Sequence, residues 1–218
     1  MNVLFVSPEV YPLIKTGGLA DVTGALPLAL GALGVDVRVL LPAYRGVAAK
    51  VDELERVGKI DDLFGGPADV LRGVCPNGLQ VLLLDAAHLY NREGGPYLDA
   101  TGQDWGDNDV RFAALSVVGA LIGRGELGDW TPDLVHLHDW QAAPTTAYLR
   151  DNNSFVPTVL TIHNLAFQGL FGMERLDPLG LSPLHAGVDG MEYYSYISFL
   201  KAGIRYASAI TTVSPTYA

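Results

Sequence analysis

Residues 2–42 read NVLFVSPEVYPLIKTGGLADVTGALPLALGALGVDVRVLLP. The stretch opens on a short apolar run, Asn2 to Ser7, which predicts a strand. From Gly18 onward apolar residues recur at Leu19, Val22, Leu26, Leu30 and Leu33. Steps of three and four are the periodicity of a helix. Pro27 falls inside that pattern and predicts a kink, and Gly34 marks a stop. VDVRVLLP, 35–42, predicts a second strand. A strand, a helix and a strand in so short a space argue for parallel pairing through a crossover.

The same grammar continues down the chain. ELERVGKIDDLFGG, 53–66, is compatible with helix or loop. VLRGVCPNGLQVLLLDA, 70–86, predicts two strands around the turn Pro76-Asn77-Gly78. LYNREGGPYLDATGQDWG, 89–106, is a Gly-rich polar loop, and Asp107 or Asn108 starts a helix running to about Gly123. Then follow DLVHLHD (strand), WQAAPTTAYLR (helix), VPTVLTIHN (strand), EYYSYISFLKAGIRYA (helix, 192–207) and SAITTVS (strand). Runs such as TVLTI and AITTV are apolar on both faces, as in a sheet covered on both sides. The fold class expected is α/β: one Rossmann-like, doubly wound, mainly parallel sheet. In such folds sites lie beyond the carboxyl ends of the strands.

Composition narrows the function. The chain has 218 residues, 49 % of them hydrophobic, enough for a sizeable core, and a formal net charge of −10. No basic stripe is present, so nucleic acid is not an expected partner. No run of eighteen apolar residues argues for a membrane span. MNVLFVSPEV lacks the marks of a secretory signal, and the single cysteine, Cys75, fits a reducing cytoplasm.

Several residues at predicted strand exits carry chemistry. Lys15-Thr16-Gly17-Gly18 precedes a helix. Glycines let a backbone approach a ligand closely, and a helix start offers unpaired N–H groups to an anion. The stretch fits a phosphate or diphosphate, or is a plain turn with a surface lysine. It is neither a Walker A loop nor G-x-G-x-x-G. His136 and His138 share a strand face, but no third ligand suggests a metal site. Asp139 either hydrogen-bonds sugar hydroxyls or caps the following helix. His163 and Asn164 end an apolar strand, with Gln168 on the adjoining loop. Tyr97 suits sugar stacking or a nucleotide contact. Glu9 contacts ligand or is a solvated loop carboxylate. Tyr193, Tyr194, Tyr196 and Phe199 read as core or interdomain packing. No nucleophile motif or paired-carboxylate spacing is evident.

Taken together, KTGGLADV (15–22), GALP (24–27), PYLDATG (96–102), DNDVRFAAL (107–115), HLHDWQ (136–141), TIHNLAFQG (161–169) and ITTVSPTYA (210–218) closely resemble the ADP-glucose-type glycogen and starch synthases. The motifs occur in the family's order and cover nearly the whole chain. The resemblance implies the N-terminal domain of a GT-B glycosyltransferase, spanning 1–218, with a C-terminal nucleotide-binding domain absent from this chain. It implies a retaining transfer of glucose from ADP-glucose to an α-1,4-glucan such as glycogen, in the cytoplasm, with no cofactor and no metal. Carried onto this sequence, Lys15 neutralises the donor diphosphate and Gly17 and Gly18 let it approach. His163 contacts the transferred glucose and Asp139 orients sugar hydroxyls. Tyr97 lines the cleft near the nucleotide, and Asn164 and Gln168 support it. Asp21 belongs to the motif without a defined role. Thr23 replaces the valine of the usual family motif, with little consequence expected. Two other readings compete: an NAD-dependent oxidoreductase, which lacks its glycine fingerprint here, and a non-catalytic glucan- or nucleotide-binding module.

Overall fold

The computed structural model describes residues 1–216. Val3 to Val6 are all buried, as a strand covered on both faces must be. Eleven strands are described: β1 (Asn2–Val6), β2 (Asp36–Pro42), β3 (Asp52–Ile60), β4 (Ala68–Val74), β5 (Gln80–Asp85), β6 (Leu134–His138), β7 (Thr158–Ile162), β8 (Leu170–Gly172), β9 (Glu192–Tyr193), β10 (Tyr196–Ser198) and β11 (Ala209–Thr212). Eight form one sheet in the order β11-β7-β6-β1-β2-β5-β4-β3. Every pairing from β11 to β5 is parallel, while β4 and β3 add antiparallel strands at one edge. The chain winds outward from β1 through β2 to β5, then returns to β6 on the other side of β1. That reversal is what the expected doubly wound, mainly parallel architecture requires. Strands β8, β10 and β9 make a small antiparallel sheet.

The helices are α1 (Gly18–Ala32), α2 (Ala87–Tyr90), α3 (Asn108–Gly123), α4 (Asp139–Ala142), α5 (Thr145–Asp151) and α6 (Phe199–Tyr206). α1 runs unbroken through Pro27. α3 is buried along 13 of its 16 residues, because it packs on β1, β2 and β6 and also on α4 and α5. A helix buried all round belongs to the core rather than the surface. None of the described helices is long and apolar enough to cross a membrane.

AITTV, expected to be covered on both faces, is instead the mostly exposed edge strand β11, and three further local expectations fail. Residues 53–66 are neither helix nor loop for most of their length, because β3 takes Asp52–Ile60. It is a mostly exposed edge strand with two register shifts against β4. Charges and irregularity on an edge discourage pairing with other chains, and they erase the alternation that would announce a strand. The helix expected over 192–207 begins only at Phe199. Tyr194 and Ser195 adopt positive φ, which turns the chain back and lets Tyr196–Ser198 pair with both β9 and β8. The helix expected over 140–150 is two short helices, α4 and α5, separated at Ala143 and Pro144.

The loop over residues 89–106 is fixed by one buried cation. Arg111, 1 % exposed, donates from Nε to the carbonyl of Leu89 (3.0 Å). Its Nη1 donates to the carbonyl of Pro96 (2.8 Å) and to Asn108 Oδ1 (2.7 Å). The Asn108 amide then donates to the carbonyl of Tyr97 (3.0 Å). A loop with little apolar content is thereby held on a core helix.

α6 lies close against β7 and α4 at Gly203. A Cβ there would sit 2.8 Å from Leu160 Cδ2 and 2.9 Å from Ala143 Cβ. Gly203→Ala is expected to overpack that contact and cost about 1–3 kcal/mol. The check is urea denaturation: the midpoint falls while the slope stays unchanged.

Candidate functional site

β1 is flanked by β2 on one side and β6 on the other, and the chain reverses its winding there. In an open α/β sheet ligands bind in the crevice at this switch point. A cleft of about 490 Å3 opens there. Four strand exits supply most of its walls: Glu9 and Thr16 to Leu19 after β1, Asp139 and Gln141 after β6, His163, Asn164 and Phe167 after β7, and Val213 after β11, with Tyr97 from the loop over 89–106. A larger groove of about 1190 Å3 lies around Thr158 and Ser208, where β7 and β11 begin. Its histidine, His185, is engaged by Asp151 (2.9 Å) and Tyr206 (2.9 Å). Topology favours the smaller cleft as the candidate site.

Glu9 organises the wall after β1. It is 2 % exposed. Its carboxylate accepts from the Thr16 backbone N–H, from Thr16 Oγ1 (2.7 Å) and from the Tyr97 hydroxyl (2.5 Å). Its carbonyl accepts from Ser7 Oγ (2.6 Å) and Thr23 Oγ1 (2.7 Å). A buried charge is tolerated only when its oxygens find donors, and these come from the two loops that carry Thr16 and Tyr97. Glu9 is therefore not a solvated carboxylate. Thr23 is not inconsequential either, because a valine there would remove a donor to the Glu9 backbone carbonyl. Tyr97 has a packing role, with its ring 5.9 Å from Phe112. Burial and the neighbouring Glu9 push its hydroxyl pKa well above the ordinary value.

Asp139 joins the ends of β6 and β7. It sits at φ +57°, a left-handed conformation that aspartate tolerates better than most residues. Its side chain does not cap α4. Instead Oδ1 accepts from the backbone N–H of His163 (2.6 Å) and of Asn164 (3.3 Å). Burial raises its carboxyl to about 6, against the pull of those two N–H groups and helped by the charge of Glu9.

Three histidines line up behind it. His136 Nε2 lies 2.6 Å from Thr161 Oγ1, which lies 2.6 Å from Thr211 Oγ1. His138 Nδ1 lies 3.0 Å from His163 Nε2. The His136 and His138 rings stack at 4.5 Å, both against Phe5. Burial pushes His136 and His163 down to about 4, and His138 well below its usual value. All three rings are neutral near pH 7. Among the described residues no three His, Cys, Asp or Glu side chains gather as a metal site requires.

The opening glycines have no internal reason. Gly17 is extended, at φ −144° and ψ −167°, a conformation open to any residue. A Cβ on Gly17 or Gly18 would meet nothing within 4 Å. Neither backbone strain nor packing excludes a side chain there. Gly17 also caps α1 with no side-chain bond, so the helix start faces the cleft with free N–H groups. Lys15 Nζ is held by both oxygens of Asp21 at 2.6 Å, in a pair about half exposed. Such a pair is worth about 0–1 kcal/mol and opens easily.

Of the sequence candidates, Glu9, Gly17, Gly18, Tyr97, Asp139, His163 and Asn164 line one cleft. Lys15 and Asp21 stand outside its walls, paired with each other. Gln168 does too: its Nε2 donates to the Leu165 carbonyl (2.6 Å), and its own carbonyl accepts from Leu200 N–H (3.1 Å). Of the four tyrosine-region aromatics, only Phe199 joins the core; Tyr193, Tyr194 and Tyr196 are exposed. Thr16, Gln141, Phe167 and Val213 were missed as lining residues. Thr16 and Gln141 lie inside motifs already singled out. Val213 lies in the quoted ITTVSPTYA run and reaches the site because β11 pairs with β7.

A doubly wound, mainly parallel sheet with a cleft at its switch point defines an α/β domain of Rossmann-like class. The chain belongs to the starch synthase catalytic domain family, whose model matches residues 2–218. It is 54 % identical over 220 residues to a glycogen synthase of Granulibacter bethesdensis, covering 100 % of this chain and 46 % of that protein. It is 56 % identical over 221 residues to one of Rhizobium etli, covering 100 % and 45 %. Its fold matches the catalytic domain of starch synthase IV from Arabidopsis thaliana bound to ADP and acarbose. There the TM-score is 0.81 at 26 % identity, over 99 % of this chain and 45 % of that one. The chain thus spans about half the length of the relatives it matches.

Three outcomes are expected. Tyr97→Phe removes a donor from a buried carboxylate and is expected to cost about 1–3 kcal/mol in urea unfolding. Histidines kept neutral in the fold bind protons more readily when unfolded. Their contribution is intact above about 6.5 and is lost as pH falls toward 4. Asp139 acts oppositely, since its raised pKa favours the fold as pH falls below about 6. Three rings outweigh one carboxyl, so the urea midpoint drops from pH 6.5 to 4. Asp139→Asn, lacking the offset, shows a steeper drop.

Proposed function

We propose that this chain forms one half of the active site of a retaining glucosyltransferase, moving glucose from ADP-glucose to the non-reducing end of an α-1,4-glucan. The remaining half of the relatives' length would supply a second, nucleotide-binding domain across the cleft. The observation that carries the reading is the pair Gly17 and Gly18, required by neither conformation nor packing and set at an uncapped helix start. What remains to explain them is close approach by something from outside, and the free N–H groups favour an anion.

The roles follow from placement. The diphosphate of the donor meets the start of α1. Lys15 exchanges Asp21 for the departing diphosphate and stabilises the charge that develops there. Asp139 and Asn164 hold the floor, where His163 faces the transferred sugar. Neutral imidazoles suit a site that must bind hydroxyls without competing for the anion. Glu9 and Tyr97 hold the two loops at the geometry the donor needs. The Arabidopsis relative bound to ADP and acarbose supports a nucleotide and a glucan-like ligand in this family.

The test joins the chain to the C-terminal half of the relatives and follows labelled glucose from ADP-glucose into glycogen, with UDP-glucose alongside. Transfer from ADP-glucose supports the reading. Binding without transfer from either donor replaces it with a non-catalytic module. Gly18→Ala is expected to leave stability within about 0.5 kcal/mol, because its Cβ enters open space, while transfer falls. Lys15→Ala is expected to lower kcat by about 100- to 1000-fold. Unchanged transfer in Lys15→Ala removes that residue from the mechanism.

A further inference from the structure

We propose that His138 is a positioning residue. Its Nδ1–H bond fixes the neutral His163 ring in the tautomer that carries its proton on Nδ1, so His163 offers an N–H to an oxygen of the bound ligand.

His138 ends β6 and is fully buried, its ring 5.0 Å from Phe5 and 4.5 Å from His136. Its Nδ1 lies 3.0 Å from His163 Nε2. Its Nε2 is buried with no hydrogen-bond partner. A neutral imidazole has one proton to place. On Nε2, that proton would be a buried donor with nothing to receive it, and orphaned buried N–H groups are rare because each forfeits a full hydrogen bond. On Nδ1, it meets the lone pair of His163 Nε2, and only a bare acceptor is left unmet. The second arrangement wins.

His163 then has no choice. Its Nε2 accepts, so its single proton sits on Nδ1, since the bond made by one ring nitrogen dictates the state of the other. Among the described residues no protein group bonds that Nδ1, and it is not among the enclosed unpaired atoms. The residue lines the cleft, and its backbone N–H is already taken by Asp139. Both the backbone and the ring of His163 are thus set before any ligand arrives. The tautomer follows from the placement of the two neutral rings, one of them fully buried. Its role in transfer rests on the function proposed above.

The test uses the 218-residue chain labelled with 15N-histidine and long-range 1H–15N correlation spectra at neutral pH. His138 and His163 are both expected as Nδ1–H tautomers. His138→Gln removes the donor facing His163, whose proton then moves to Nε2. His138→Asn restores an amide N–H near the position of Nδ1 and returns His163 to the Nδ1–H form. Thermal melts report whether each variant folds. A His163 proton on Nε2 in the unaltered chain overturns the proposal, as do identical His163 states in the folded Gln and Asn variants. If His138→Gln does not fold, the unaltered chain still decides the tautomer. In the protein joined to the relatives' C-terminal half, His138→Gln is expected to lower kcat about tenfold with donor KM little changed, and His138→Asn to recover it. An unchanged kcat in His138→Gln overturns the positioning role. Absent transfer in the unaltered protein counts against the glucosyltransferase reading and leaves the tautomer to the spectra.

Discussion

The carboxylate of Glu9 is buried at the end of β1, and three donors come to it: Thr16 N–H, Thr16 Oγ1 and the Tyr97 hydroxyl. Without them a charge in that position would be prohibitive. With them, the loop before α1 and the distant loop over 89–106 must arrive together. Arg111 holds the second loop from beneath, through the carbonyls of Leu89 and Pro96. Thr23 and Ser7 hold the Glu9 backbone from the side. The wall of the cleft is thus a consequence of satisfying one buried anion.

The far wall is built on the same logic with a different partner. Asp139 satisfies its carboxylate on the backbone of the neighbouring strand exit, at His163 and Asn164. Behind it the histidines are buried against Phe5 and each other, and burial keeps them neutral. The fixed charges of the walls are therefore acidic. The start of α1 brings the positive end of its helix dipole to the cleft, and Lys15 is paired with Asp21. A chain of net charge −10 can in this way be locally receptive to an anion.

What could be read in advance was whatever is local and periodic. β1, α1, β2 and the turn at Pro76-Asn77-Gly78 announce themselves through spacing and turn chemistry. β3 and the Tyr196–Ser198 strand do not. β3 is an edge whose pairing partner, not its own pattern, makes it a strand. Tyr196–Ser198 lies in a run that reads as helix until positive φ at Tyr194 and Ser195 folds it onto β8. The site followed the same division. Gly17 and Gly18 stand at the start of a predictable helix, and Asp139, His163 and Asn164 at the ends of predictable strands, so all five are legible. The burial of Glu9 and the packing role of Tyr97 depend on a contact spanning 88 residues, which no local pattern encodes.

The sequence by itself determined the winding of the sheet and the motif set of the starch synthase catalytic domain family, because strand burial and helix periodicity are written residue by residue. It also placed the polar groups at strand exits. Only the tertiary structure decided which of them meet. Asp139, open as a sugar contact or a cap, bridges two strand exits; Lys15 is half of an ion pair with Asp21; and His138, read beside His136 on one strand face, is the neighbour of His163. The physical reason is that hydrogen-bond satisfaction of buried polar groups is a property of three-dimensional neighbours. Those neighbours are fixed only when parallel strands far apart in sequence lie side by side.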